Sequence, residues 1–90
     1  MPVQSSQVSV GTTRVKIVVP RASNQHVIIH DHDHSSNNEV FIGDSTVTTT
    51  TGLHIPKTET IQFDLVAGDD LWAIASGNSV ALHVIAIRQG

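Results

Sequence analysis

Apolar and polar residues alternate with a period of two in several short windows of this chain, and no window sustains the i, i+3, i+4, i+7 spacing of an amphipathic helix. In residues 60–65 the alternation is complete, with Ile61, Phe63 and Leu65 on one face and Thr60, Gln62 and Asp64 on the other. In residues 13–19, Val15, Ile17 and Val19 fall on one face and Arg14 and Lys16 on the other, before Pro20 removes the ladder N–H and ends the run. Both windows predict half-buried strands of antiparallel sheet. Shorter strands are expected at residues 7–10, as an edge, and at 24–32 around Val27-Ile28-Ile29. Two more are expected at 39–42 and 70–75, beside the turn formers Gly43-Asp44 and Gly68-Asp69. Residues 79–88 differ from the rest. Val80, Leu82, Val84 and Ala86 share one face while Ala81, Ile85 and Ile87 share the other, the pattern of a central strand covered on both sides. A neighbouring subunit is one source of the second cover.

Several short strands at near-regular spacing give an all-β chain, a single small antiparallel β-sandwich or barrel of jelly-roll-like type. Residues 1–10 are polar and read as an extended N-terminal arm, leaving 11–90 as the sandwich domain. The threonine-rich tract at residues 46–51 reads as an irregular edge segment.

The composition sharpens this reading by exclusion. With 90 residues and no cysteine, the chain has a modest core and no disulfide to support it, so oligomerisation is expected. Five Lys and Arg against eight Asp and Glu give a net charge of −3, which argues against binding nucleic acid. No apolar run approaches a membrane span and the N-terminus lacks the basic and apolar parts of a signal peptide, so no membrane association and no cleaved leader are expected.

The candidate chemistry is concentrated in His30-Asp31-His32-Asp33-His34, with His26 four residues earlier. On an extended strand His26, Ile28, His30, His32 and His34 share a face, alternate residues lying about 6.6–6.8 Å apart. Neutral imidazole is a common ligand for zinc and similar metals, so His30, His32 and His34 are candidate ligands, Asp31 and Asp33 candidate outer acceptors, and His54 or His83 a candidate completing ligand. The same run equally has the composition of a solvated turn. No serine sits in a Gly-x-Ser-x-Gly elbow, Asp69-Asp70 reads as a turn, and no Gly-rich phosphate loop is present. The chain is therefore read as a non-enzyme with no cofactor. Trp72, the single Trp, is expected in the core, with an interface anchor as the alternative.

Val40-Phe41-Ile42-Gly43, Ser45-x-Val47-Thr48, Gly52-Leu53 and Gly68-Asp69-Asp70-Leu71-Trp72-Ala73-Ile74 with Ser76-Gly77, preceded by Val27-Ile28-Ile29, resemble a pattern in tailed-phage virion proteins of the capsid decoration (cement) or head-fibre type. The resemblance covers about residues 27–84. Phe41 and Trp72 stand where the pattern often has Tyr, and the His/Asp run stands where it more often has an Asn-containing turn. The resemblance implies a decoration protein on the outer capsid surface, made in the host cytoplasm, contacting the major capsid protein, with a trimer favoured as its homo-oligomer. Shell contact is expected at the arm, through Pro2, Val3, Gln4, Ser5, Ser6, Gln7 and Val8, because an extended segment can add to a neighbouring sheet edge. A tail or fibre binding module, or a small cupin-like metal-binding protein using the histidine run, are the alternatives.

Overall fold

Each half-buried strand has one apolar face to hide, and two four-stranded sheets packed face to face hide all of them. The computed structural model describes residues 3–32, 38–56, 58–77 and 80–89. The strands are β1 (Val3–Val10), β2 (Val15–Val18), β3 (Asn24–Asp31), β4 (Val40–Gly43), β5 (Leu53–Ile55), β6 (Thr60–Leu65), β7 (Leu71–Ala75) and β8 (Val80–Gln89). One sheet has the order β1-β8-β3-β6 and the other β2-β7-β4-β5, with every pairing antiparallel. The pairs β1·β8, β2·β7, β3·β6 and β4·β5 are nested, as though one long hairpin had been rolled up with alternate turns assigned to opposite sheets. That nesting is a jelly roll. No helix occurs among the described residues.

The core lies between the sheets. Val27 and Ile29 of β3, Val80, Leu82 and Val84 of β8, Val40 and Ile42 of β4, and Ala73 and Ala75 of β7 are all buried there. Apolar burial of this kind stabilises by roughly 25 cal/mol per Å² removed from water. Phe63 and Ile61 pack against the same cluster from β6, as the alternation requires. Gln25 is a buried polar exception, and its amide donates to the carbonyl of Val19 at 3.1 Å, tying the β2–β3 connection to the sheet.

Four details depart from the reading of the sequence. The run at residues 13–19 does not keep strict alternation. A bulge between Lys16 and Val18 turns both Ile17 and Val18 inward and leaves Val19 46% exposed, so Val19 is not a core residue. Val3–Val10, expected as an arm outside the sandwich, are indeed extended but pair with β8 along their whole length, from Val3↔Ile87 to Val10↔Val80. A polar segment joins the sheet here because an edge strand is held by its backbone ladder. Only Val10 of β1 is buried and Val8 half-buried, while Gln4, Ser6 and Val8 overhang an open cleft of about 180 Å³ beside Ile17 and Gln25. Third, Trp72 is outside the core. Leu71, Ala73 and Ala75 take the inward positions of β7, and Trp72 and Ile74 are half-buried on the outer face. The Lys16 ammonium lies 5.5 Å from the Trp72 ring centre and 3.7 Å from Asp70, while the buried Trp72 Nε1 finds no acceptor among the described residues.

Fourth, the threonine-rich tract is not merely irregular. Asp44 Oδ1 accepts from the Thr46 N–H and hydroxyl, and the Thr48 carbonyl accepts from Thr51 and Gly52. This turn buries Val47 against Gly43 and Gly52, the latter so near that a Cβ there would lie 2.6 Å from Phe41 Cβ. The Thr46 bonds also hold the Asp44 carboxyl below its ordinary pKa. The turn leads into β5, a three-residue strand with too few residues to show a period.

Candidate functional site

The outer face of the β1-β8-β3-β6 sheet carries the histidines. Because β3 alternates, Gln25, Val27, Ile29 and Asp31 turn to the core and His26, Ile28 and His30 turn outward. The register then fixes their neighbours. Gln7, His83, His30 and Thr60 form one row across all four strands, and Ser5, Ile85, Ile28 and Gln62 form the next. The third row is Val3, Ile87, His26 and Asp64. The β1, β8 and β3 residues of the first two rows line a shallow open groove of about 520 Å³ whose walls include Ser5, Gln7, Ile28, His30, His83 and Ile85.

Within the first row the Gln7 amide donates to His83 Nε2 at 2.8 Å, and His30 Nδ1 lies 3.0 Å from the Thr60 hydroxyl. His32 follows β3, its backbone N–H bonded to the Ala81 carbonyl, and its ring stacks on His83 with 4.4 Å between centres. The His30 ring is 5.9 Å from His32 and 6.3 Å from His83.

Two rows away His26 is engaged differently. Its Nδ1 lies 2.8 Å from Asp64 Oδ1 and its Nε2 2.9 Å from Gln62 Oε1. Two acceptors call for two ring protons, so the Asp64 bond above all, with the Gln62 bond, raises the His26 pKa above 6.5. The sign follows directly: the stabilisation is complete below pH 6.5 and is lost as pH rises through the raised value. Replacing His26 by alanine is therefore expected to lower the melting temperature more at about pH 5.5 than at about pH 8.5. Equal losses at the two pH values would show that the pair contributes no charge-dependent stability.

The candidate residues are thus distributed unevenly. His30 and His32 come together with His83, while His54 sits on β5 of the opposite sheet, 3.4 Å from Glu39 and beside Phe41. Asp31 is buried on the core side of β3. His34 and Asp33 lie outside the described residues, as does Pro2. Val3, Gln4, Ser5, Ser6 and Gln7 are exposed along the edge strand β1 and Val8 is half-buried there. Gln7 and Thr60 belong to the histidine row, and the sequence linked neither to the histidines, since only strand pairing places them there.

No family model and no curated protein matches the sequence. Among solved structures, one from Bacillus endospore appendages, described as forming a novel family of disulfide-linked pili, superposes with a TM-score of 0.62. The match covers 99% of this chain and 87% of that chain at 7% identity. A likeness at that identity concerns the fold alone.

Proposed function

We propose that this chain is a structural, non-enzymatic subunit of a virion, a decoration protein that binds the assembled head shell through the major capsid protein. The observation that carries this reading is the edge strand β1, which presents Val3 to Gln7 to solvent on a rigid jelly roll. An edge of that kind extends readily by pairing with a strand of another chain. The resemblance of residues 27–84 to phage virion proteins supplies the kind of assembly. A protein that binds only the assembled shell stabilises it by mass action. The trimer is part of the proposal, since the outward residues Ile85 and Ile87 of β8 have no second layer among the described residues.

A second reading, a subunit of a tail, fibre or other appendage, is favoured by the likeness to the endospore appendage structure. With no cysteine, this chain would assemble without the disulfide links described for those pili. Copy number separates the readings. Particles from the source of this sequence are purified and the protein is quantified against the major shell protein by mass spectrometry. A ratio near one to one supports shell decoration. A few copies per particle moves the protein to a tail, fibre or vertex, and absence from particles overturns the virion reading.

A further inference from the structure

We propose that His30, His32 and His83 form a binding site for one divalent transition-metal ion of the zinc type. The three imidazoles come from β3, the residue after it, and β8, which pairs with β3 so that His83 lies opposite His30. Residues far apart in the chain are thereby brought side by side on one solvent-facing surface.

The distances suit such an ion. Zinc–nitrogen bonds of about 2.0–2.1 Å put each ring centre about 3.2 Å from the metal, so tetrahedrally arranged rings stand about 5.2 Å apart. The ring centres here are 4.4, 5.9 and 6.3 Å apart, values that straddle that spacing. As they stand the rings are stacked and tilted against one another, and among the described residues no three His, Cys, Asp or Glu converge on a point. Closing the site requires the His32 and His83 rings to unstack by side-chain rotation.

The hydrogen bonds already prepare two ligands. His83 Nε2 lies 2.8 Å from the Gln7 amide nitrogen, and an ion arriving there displaces that amide. The Thr60 hydroxyl beside His30 Nδ1 holds the ring from its far side and leaves Nε2 to ligate, the outer support usual for a ligating histidine. The fourth position faces the open groove beside Ser5 and Gln7 and takes water or a group from a partner.

The test uses the full-length chain without an affinity tag, titrated with Co2+ at neutral pH and followed by visible absorption. Binding of one Co2+ per chain with the intense band of tetrahedral imidazole ligation, displaced by Zn2+, is expected. His83→Gln and His30→Gln are each expected to weaken binding roughly tenfold or more. His54→Gln, on the opposite sheet, is expected to leave it unchanged. Glutamine keeps a polar side chain on each strand, and circular dichroism of the metal-free variants establishes that they fold. If one of the two variants does not fold, the other reads the same site. No tetrahedral Co2+ signal at millimolar metal, or undiminished binding in both variants, overturns the proposal. So does loss in His34→Gln with His83→Gln unaffected, which puts the ion on the 30–34 run alone.

Discussion

Replacing Leu82 by alanine is expected to cost about 2–5 kcal/mol of folding free energy, the range for a buried Leu that leaves a cavity. Leu82 has no solvent exposure and sits near the start of β8, between Val8 of β1 and Asp31 of β3, facing the opposite sheet. Both neighbouring strands are therefore fixed in register around it, so the gap cannot close by moving one edge inward. A small domain has only about 5–15 kcal/mol of total stability, so this single change removes a large share of it. Urea unfolding of the wild-type chain and the variant, with midpoints compared at equal slope, measures the effect. Ile85→Ala is the matched control, because Ile85 is three residues on, points outward and is 38% exposed. It is expected to cost about 1 kcal/mol or less, as surface positions usually do. Equal losses at Leu82 and Ile85 would mean that the inner face of β8 is not the principal contact between the sheets.

Removing residues 1–8 is expected to have the second large effect, for a different reason. Few side chains of β1 are buried, but the pairs from Val3↔Ile87 to Val8↔Leu82 disappear with it. Each backbone hydrogen bond contributes about 0.5–1.5 kcal/mol net, so losing this stretch of ladder removes roughly 3 kcal/mol or more. The loss also exposes the flank of β8, a long strand with apolar residues on both faces, and such an edge recruits other strands. The truncated chain is expected to become less stable and to self-associate with rising concentration, read by analytical ultracentrifugation. A synthetic peptide of residues 1–10, added in excess, is expected to restore a monodisperse species. A truncated chain that stays as stable and as dispersed as the full one would show that β1 contributes nothing to the sandwich.

The sequence was most legible where burial imposed a pattern. Ile61, Phe63 and Leu65 appear on the core side of β6 as their spacing requires, and β3 and β8 keep their alternation through the histidines. It was least legible where backbone geometry or pairing decides. The bulge in β2 adds one residue and thereby exchanges the roles of Val18 and Val19, a change no hydropathy pattern carries. β1 buries a single side chain, so its polar residues look like a tail although its ladder is complete. Trp72 lies on the outer face because the alternation of β7 gives the inward positions to Leu71, Ala73 and Ala75, a phase that a run of apolar residues does not reveal. At the histidine face, His30 and His32 announced themselves, whereas the choice of His83 over His54 depends on which strand lies beside β3.

The nested pairing also orders events in time. As the chain leaves the ribosome, β4 finds β5 as soon as Leu53 follows Ile42, but Val10 must wait for Val80 and Val3 for Ile87. Pairings so distant in sequence pay the most loop-closure entropy and form slowly. Of the described strands, then, β1 is made before the others and is the last to be claimed by its own sheet, and during that interval its backbone is open to the edge of any neighbouring copy emerging from the same message.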